Sequence, residues 1–461
     1  MANGGRAHLT PADTGPAPGR GRAAHPERIA IVSASVGAGH DGAAAELQRR
    51  LIAQGVTVDR YDLLDLLPAR LGRTVRDAYH LMLDRAPWLY QRIYSSTERA
   101  GGGGRGARAL LRSAENRVLR ALHPETGAVV STYPGASRVL GNLRLDGRLG
   151  IPVLTYLTDF SVHPLWVADG VDVHLAAHAV PAGQARAAGA GDVRVRGPVA
   201  DPRFRPCDAR RRLLARERFG LPATAPLALL VAGSWGVGPV RQVAQELRDC
   251  GAVVPVVVCG RNEALAARLR ADGIEHVHGW VDDMPALMQA ADVLVQNAGG
   301  LTTLEAFSAG LPVASYGCIP GHGLTNADAL DEAGVAVWIR DRAQLKDILN
   351  DLVNGPLGQS QRAAGLALFA DSPDGGPAAE AVRVLRSGRS LTVPPPTRRR
   401  RLRTRRLATT ATVACAVWAC AVATGVATSY QGTTLVHTLS RHLDLDLVSS
   451  TSGHGREGQH S

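Results

Sequence analysis

A pair of glycines between an apolar run and a helix-forming run is the strongest chemical signal in this sequence of 461 residues. Residues 293–295 predict a strand, and Gly299 and Gly300 follow it, directly before a helix-like stretch that begins at Thr302. Residues without a Cβ let an anion approach the main chain, and the positive end of a helix favours a phosphate there. The pattern therefore predicts a phosphate-binding turn.

A carboxylate and a second loop extend this predicted site. Glu305 lies one helical turn further on, where it could accept hydrogen bonds from both hydroxyls of a ribose. A short apolar run, 312–316, opens onto a loop, 317–326, that is rich in Gly and contains His322 and Asn326. Because parallel strands end at one edge of a sheet, both loops are expected side by side. The region predicts a crevice for phosphate, ribose and sugar.

A second glycine loop lies near the start of the chain. Residues 28–33 predict a strand, and the loop that follows contains Gly37, Gly39 and His40 before a helical pattern resumes. An imidazole, whose unperturbed pKa is about 6.5, suits the removal of a proton from a hydroxyl. Asp159, at the end of another predicted strand, could orient that imidazole or act as the base itself. The alternative for His40 is a helix cap or a hydrogen-bonded spacer.

These motifs resemble a known family. Asn297-Ala298-Gly299-Gly300, Glu305, residues 310–312 and the 322–326 loop are similar to the nucleotide-sugar half of GT-B glycosyltransferases. The segments SASVGAGH (33–40) and TDFSVHPLW (158–166) resemble motifs of monogalactosyldiacylglycerol synthases, and the peptidoglycan N-acetylglucosaminyltransferase that acts on a lipid-linked precursor is a further relative. The resemblance departs at His322, where these families usually have glutamine, and at Gly323 and Thr325, where diacylglycerol glycosyltransferases tend to have Glu and Gly. In those families this loop contacts the hydroxyls of the sugar.

The resemblance implies an α/β protein of the GT-B class, with two Rossmann-like domains whose parallel sheets face an interdomain cleft. It also implies a UDP-sugar donor, a lipid acceptor that is diacylglycerol-like or isoprenoid-linked, and inversion at the anomeric carbon. No Asp-X-Asp pair lies in either loop, so no metal or other cofactor is expected. The expected catalytic residues are His40 and Asp159. The expected donor-binding residues are Gly233, Ser234, Arg261, Asn262, Trp280, Val281, Gly299, Gly300, Thr302, Glu305, His322 and Asn326. The expected acceptor-binding residues are Gly37, Gly39, His163 and Trp166.

Some of these assignments have a structural alternative of equal or greater weight. Arg261 and Asn262 follow a predicted strand, so they could equally form the cap of the next helix. His163 and Trp166 suit the wall of an acceptor pocket or the core better than a chemical step.

The length of the chain and its alternation of strand and helix patterns predict two domains, and the non-periodic Pro- and Arg-rich stretch after residue 199 predicts a linker at the start of the second. The expected organisation is a disordered segment at 1–26, an acceptor-binding domain at 27–199, a UDP-sugar-binding domain at 200–387, a Pro- and Arg-rich linker at 388–406, a transmembrane helix at 407–430 and a polar tail at 431–461.

The charge of the chain is concentrated in one place. The formal net charge is +11, and seven arginines lie within 398–406, so the rest of the chain carries 11 − 7 = +4. Basic residues without aromatic or helical readout elements do not predict a nucleic-acid partner. The uncharged run 407–430 is long enough to span a bilayer, and the arginines before it place the preceding chain in the cytoplasm. The expected location is the cytoplasmic face of a bacterial plasma membrane, with a single-pass C-terminal anchor; an interfacial or disordered tail is the alternative.

A second membrane contact is predicted at 73–99, a helical pattern rich in Trp, Leu and Tyr that precedes a predicted flexible loop, GGGGRG, at 101–106. Nearby Arg99, Arg105, Arg108 and Arg112 form a basic patch suited to anionic headgroups. Core packing and a solvated charged face are the alternatives. Two other functions remain open for the whole chain: an epimerase of UDP-N-acetylglucosamine, and a membrane-tethered nucleotide-sugar-binding protein without transfer activity.

Overall fold

The computed structural model describes residues 27–99, 105–370 and 375–387. Within them the chain forms two six-stranded sheets, and every strand pairs in parallel with its neighbours. The central strands are short apolar runs, which suits a parallel sheet because helices cover both of its faces. The two Rossmann-like domains predicted from the sequence are therefore present, and are called here the first lobe and the second lobe.

The first lobe is built from the N-terminal half of the chain. Its elements are β1 (Arg28–Ser33), α1 (Ala38–Ala53), β2 (Thr57–Asp62), α2 (Leu71–Arg85), α3 (Pro87–Arg99), α4 (Arg105–Ala121), β3 (Ala128–Ser131), α5 (Pro134–Leu145), β4 (Val153–Tyr156), β5 (Val173–Ala176), α6 (Ala179–Ala187) and β6 (Val193–Val195). The strand order is β2-β1-β3-β4-β5-β6. The chain thus winds in opposite directions from β1, which opens a crevice between the carboxyl ends of β1 and β3.

The second lobe repeats this design. Its elements are α7 (Ala209–Arg218), β7 (Leu227–Val231), α8 (Val240–Asp249), β8 (Val254–Val258), α9 (Glu263–Ala271), β9 (His276–His278), α10 (Met284–Ala290), β10 (Val293–Gln296), α11 (Leu301–Ser308), β11 (Val313–Ser315), α12 (His322–Glu332), β12 (Val337–Trp338), α13 (Leu345–Asn354) and α14 (Pro356–Ala370). The order β12-β11-β10-β7-β8-β9 puts the second crevice between β7 and β10.

The last described helix returns to the first lobe. Helix α15 (Gly376–Arg386) packs on α1 and β3, and its Ala378, Ala381 and Val382 join the core on one face of the first sheet. Glu380 is fully buried and forms ion pairs with Arg194 and Arg196 at β6. The sequence placed 200–387 in one domain. The structure assigns this helix to the first lobe instead, because its apolar face and its carboxylate find their partners there.

Three other local expectations differ from the structure. The helical pattern at 73–99 is two helices, α2 and α3, because Pro87 cannot continue a helix and begins a new one. Residues 105 and 106, predicted to be part of a flexible glycine loop, begin α4. The stretch after 199, read as a linker, contains α7, whose first turn is capped by Asp208 accepting from the Arg211 N–H at 2.8 Å.

Within the described ranges, no helix combines the length and apolarity needed to cross a bilayer. The predicted transmembrane segment 407–430 and its neighbours 1–26, 388–406 and 431–461 lie outside those ranges.

Candidate active site

Four loops from the two sheet crevices meet across one cleft. Two follow β1 and β3 in the first lobe, and two follow β7 and β10 in the second lobe, as the strand orders require. The cleft has a volume of about 730 Å³. It is therefore formed by the carboxyl edges of both sheets, the position at which the sequence placed its candidate residues.

His40 lies in this cleft, and its hydrogen bonds define the protonation of its ring. Nδ1 is 3.0 Å from the carbonyl oxygen of Thr132 and 2.8 Å from Oγ1 of Thr158. A carbonyl only accepts, so Nδ1 must carry the proton, and Nε2 keeps a lone pair. Among the described residues, Nε2 has no hydrogen-bond partner. The ring also contacts Tyr133 edge-on, with centroids 5.3 Å apart. His40 is thus oriented as a hydrogen-bond acceptor or base facing the cleft.

Asp159 lines the same cleft but does not orient His40. Its Oδ2 accepts a hydrogen bond from the indole N–H of Trp166 at 3.1 Å. The predicted Asp159–His40 pairing is therefore wrong for this structure. The neighbouring Thr158, which belongs to the same sequence motif, contacts Nδ1 together with the backbone carbonyl that follows β3.

The two predicted glycine loops touch each other across the cleft. A Cβ added to Gly39 would lie 3.8 Å from the backbone nitrogen of Leu301, and one added to Gly42 would meet the Leu301 side chain at 2.3 Å. Gly37 also lines the cleft, and α1 packs against α11. The first turn of α1, which contains His40, therefore faces the N-terminus of α11.

The predicted turn between β10 and α11 is present, but the Gly299 N–H is not free to bind a phosphate. Oε1 of Gln296 accepts from the backbone N–H groups of Ala298 and Gly299, so the Gly299 amide is already used. Gly299 is required for another reason: its φ is +73°, and a Cβ would meet Cβ of Asn326 at 2.6 Å. Helix geometry instead leaves the amides of Leu301 and Thr302 without a partner inside α11, whereas the Thr303 amide donates to the Gly300 carbonyl at 3.0 Å.

Thr303 is a cleft residue that the sequence did not single out. Its side chain is 1% exposed, and its Oγ1 is buried without a hydrogen-bond partner in the described structure. Buried hydroxyls are rarely left unpaired, since the loss of water costs about 1–3 kcal/mol. The only sequence signal was its position in the first turn of the helix after the glycine pair. A ligand oxygen at the α11 N-terminus would satisfy it.

Glu305 also lines the cleft, one turn further along α11. Burial, and secondarily the negative charge of Asp201, raise the pKa of its carboxyl from 4.5 to about 7, and Arg203 opposes this rise. The carboxylate has no hydrogen bond to any described residue that would stabilise its charge. It is therefore poised to accept hydrogen bonds from ligand hydroxyls.

The loop after β7 forms the opposite side of the second-lobe crevice. Gly233 and Ser234 line the cleft as predicted, and Gly233 and Gly238 have φ of +67° and +100°. A Cβ at Gly238 would meet the Asn297 amide nitrogen at 2.6 Å, and that amide donates to the Val237 carbonyl at 2.9 Å. The two loops therefore brace each other through backbone that only glycine allows.

Trp280 and Val281 line the cleft at the end of β9, whereas Arg261 and Asn262 do not. Arg261 places its guanidinium over the Trp280 ring, 4.5 Å from the centroid, and so supports the indole. Asn262 caps α9, accepting from the Leu265 N–H at 2.9 Å. The capping alternative is therefore correct for Asn262, because its side chain is fully occupied by backbone groups.

The predicted loop 317–326 is helical from His322 onward, and the first turns of α12 contain one cleft residue and one cross-link. His322 lines the cleft. Asn326 is completely buried: its Oδ1 accepts from the N–H of Ser161 at 2.7 Å, and its amide donates to the Ala298 carbonyl at 2.9 Å. The prediction that Asn326 binds the donor is contradicted by these contacts, which join the two lobes instead.

His163 and Trp166 form the wall of the first-lobe side. Trp166 is 1% exposed, with its ring 6.0 Å from that of His40. Nδ1 of His163 accepts from the Leu165 N–H at 3.1 Å and caps a short 3-10 turn. Desolvation lowers the pKa of His163. Both side chains therefore shape the cleft, in agreement with the structural alternative.

An apolar wall continues the cleft away from His40. It is formed by three helices of the first lobe, and its side chains are Val75, Tyr79, Leu83, Ile93, Leu110 and Leu111. Trp88, in the first turn of α3, is 63% exposed. Such a wall suits an apolar ligand group next to the imidazole.

Two family models match this chain, one in each lobe. Residues 40–197 match the model described as monogalactosyldiacylglycerol (MGDG) synthase, and 236–354 match the model described as glycosyl transferases group 1. The structure of TcCGT1 in complex with UDP aligns with a TM-score of 0.51 and 13% identity, over 79% of this chain and 99% of that chain. This chain has the GT-B fold and resembles MGDG synthases. The resemblance predicted from the sequence is confirmed.

Individual relatives of this GT-B protein cover it only in part. A processive diacylglycerol beta-glucosyltransferase from Bacillus pumilus is 29% identical over 214 residues, which are 44% of this chain and 54% of that protein. The match therefore spans about half the length of that relative. The crystal structure of Acinetobacter baumannii MurG aligns with a TM-score of 0.47 and 18% identity, over 78% of this chain and 100% of that chain.

Proposed function

We propose that this chain transfers a hexose or an N-acetylhexosamine from a UDP-sugar to a hydroxyl group of a lipid, with inversion at the anomeric carbon. The observation that carries the proposal is the position of His40. Its unprotonated Nε2 faces a cleft that also contains the α11 N-terminus, Glu305 and the apolar wall of α2, α3 and α4. A candidate base, a candidate phosphate site, a carboxylate that can accept hydrogen bonds from ribose hydroxyls and an apolar wall suited to a lipid thus line one cavity.

The donor would lie on the second lobe. The free amides at the start of α11 and the loop at Gly233 and Ser234 suit the diphosphate, and Glu305 suits the ribose hydroxyls. Trp280 and Val281 suit the base. TcCGT1, which shares the fold, binds UDP, and the Bacillus pumilus relative is a diacylglycerol beta-glucosyltransferase; both support this donor and a diacylglycerol-like or isoprenoid-linked acceptor.

The chemical step follows from this arrangement. The acceptor oxygen attacks the anomeric carbon while His40 Nε2 takes its proton, and the bond from that carbon to the diphosphate oxygen breaks. Negative charge grows on the departing diphosphate. Preorganised amides at the α11 N-terminus stabilise such charge most strongly where water is excluded. Each role in this step falls to a group of the protein: His40 for the proton and the α11 amides for the diphosphate charge.

The acceptor and the membrane complete the proposal. A lipid hydroxyl would reach His40 along the wall of α2, α3 and α4, and exposed Trp88 suits the bilayer interface. Residues 398–406 and the uncharged run 407–430 would anchor the chain to the cytoplasmic face of a bacterial plasma membrane. An epimerase with this fold would have no need of the apolar wall.

A donor screen tests the function. The full chain is incubated with vesicles of bacterial lipid extract and with radiolabelled UDP-glucose, UDP-galactose or UDP-N-acetylglucosamine. Label in the lipid phase supports the proposal. Conversion of one UDP-sugar into its epimer without lipid label would instead identify an epimerase, and tight UDP-sugar binding without turnover would identify a sensor.

A further inference from the structure

Helix α3 of the first lobe contacts the start of α12 in the second lobe, residues 321–325. Tyr90 and Tyr94 lie one turn apart on α3: Tyr90 Oη is 2.9 Å from His322 Nδ1, and Tyr94 Oη is 3.2 Å from Thr325 Oγ1. Gln91 Oε1 accepts from the Gly321 N–H. The contacts join residues that lie in different lobes, so no local sequence pattern predicts them.

The backbone directly before α12 leaves room for the rings of Tyr90 and Tyr94. Gly321 has a φ of +68°, and a Cβ there would lie 2.6 Å from Cε1 of Tyr90 and 3.0 Å from Cγ of Tyr94. Only a glycine lets the chain pass this close to the two rings. His322 therefore enters the cleft at a place fixed by α3.

The phenol of Tyr90 determines which nitrogen of His322 carries the proton. Burial raises the pKa of Tyr90 well above 10, and burial lowers the pKa of His322, an effect that the charge of Asp159 opposes and that of His40 adds to. Both groups are therefore neutral at neutral pH. The Tyr90 hydroxyl also has a hydrogen bond to the hydroxyl of Tyr79. A neutral imidazole nitrogen is a better acceptor than a phenol oxygen, so we assign the order Tyr79 to Tyr90 to His322, in which the Tyr90 O–H donates to the ring nitrogen. Nδ1 of His322 is then the acceptor, and Nε2 carries the proton.

We infer that Tyr90 is a positioning residue for donor recognition: its hydroxyl fixes His322 as the Nε2–H tautomer, which donates a hydrogen bond to an oxygen of the sugar or diphosphate. The inference rests on the proposed function for the identity of that oxygen. The cleft then contains two imidazoles in opposite tautomers. His40 offers a lone pair to the incoming hydroxyl, and His322 offers an N–H to the donor.

The tautomer is measured first, without any ligand. The full chain is labelled with ¹⁵N-histidine, and long-range ¹H–¹⁵N spectra are assigned with His322→Gln and His40→Gln. We expect His322 to show a protonated Nε2 and His40 a protonated Nδ1. In Tyr90→Phe, the His322 nitrogens should shift toward averaged values, while those of His40 stay in place. A protonated Nδ1 at His322 in the unmodified chain would overturn the inference.

Donor affinity gives the second readout. Tyr90→Phe should weaken UDP-sugar binding about tenfold, the effect of one hydrogen bond, and should change UDP binding less than about twofold if the oxygen belongs to the sugar. Tyr94 lies on the same helix as Tyr90, and Tyr94→Phe removes its contact to Thr325. This variant is the matched control for packing between α3 and the start of α12. Equal losses of UDP-sugar affinity in both variants would show that Tyr90 only supports packing and does not position His322.

The His322→Gln background separates tautomer control from packing. A glutamine side chain always carries an amide N–H, so in this background the further change Tyr90→Phe should have little effect on UDP-sugar binding. The same tenfold loss in that background would contradict the inference. If the unmodified chain binds no UDP-sugar, the proposed function fails, whereas the NMR result still decides the tautomer.

Discussion

Replacing Glu305 by glutamine should stabilise the folded chain and weaken nucleoside binding, and both effects should be larger at pH 8 than at pH 5. The carboxyl has a pKa of about 7 in the fold, against 4.5 for the unperturbed group. One pKa unit corresponds to about 1.4 kcal/mol, so ionising this largely buried group costs at most about 3.5 kcal/mol of folding free energy. Because the folded pKa is raised, the folded state binds the proton more tightly than the unfolded state does. Stability is therefore lost as the pH rises from 4.5 to 7, and no further loss follows above 7.

The assay compares thermal unfolding of the Glu305→Gln variant and the unmodified chain at pH 5 and pH 8. At pH 8 the variant should melt higher by roughly 5 °C, and at pH 5 the difference should shrink toward zero. Glu217→Gln, which removes an exposed carboxylate of α7, is the matched control and should show no such change. A melting difference that is the same at both pH values would refute the burial argument.

Uridine binding tests the other half of the Glu305 reasoning. Uridine has no phosphate that titrates in this range, so its affinity reports the carboxylate alone. If only the ionised carboxylate accepts the ribose hydroxyls, affinity should fall about thirtyfold between pH 8 and pH 5.5, given a pKa of about 7. The Glu305→Gln variant should bind weakly at both values. A pH-independent affinity in the unmodified chain would show that Glu305 does not bind the ribose.

Three further variants test separate parts of the site. Thr158→Val removes one hydrogen-bond partner of His40 Nδ1 and should lower kcat about tenfold with unchanged UDP affinity, whereas Thr158→Ser should retain activity. Equal activity of the two variants would show that Thr158 does not orient His40. Thr303→Val removes an unpaired buried hydroxyl, so the free protein should be as stable or about 1 kcal/mol more stable, measured by denaturation, while UDP affinity falls. Deleting 398–461 should release the protein from membranes; continued sedimentation with vesicles would assign membrane binding to α2, α3 and α4.

The strands and glycine loops were predictable because their signals are local. Apolar runs such as 227–231 and 293–295 are bounded by turn residues, and the positive φ of Gly233 and Gly299 requires glycine. Strand order then brings those loops together. The same reasoning placed His40 in the cleft from its position after β1.

The partners of polar side chains were not predictable, because they depend on contacts between distant segments. Asn326 reads as a loop residue, and only the approach of Ser161 from the other lobe makes it a buried cross-link. Tyr90 and His322 are 232 residues apart in sequence. The return of α15 to the first lobe follows likewise from the burial of Glu380 against β6. Composition alone does not encode such pairings.

The central claim is that His40 removes the proton of the acceptor hydroxyl, and one comparison tests it most directly. Transfer of radiolabelled sugar to lipid is measured for the unmodified chain and for His40→Ala, alongside UDP affinity. The account predicts that kcat falls roughly 10²- to 10⁴-fold, while the dissociation constant of UDP changes less than about twofold. Unchanged turnover in His40→Ala would contradict the account.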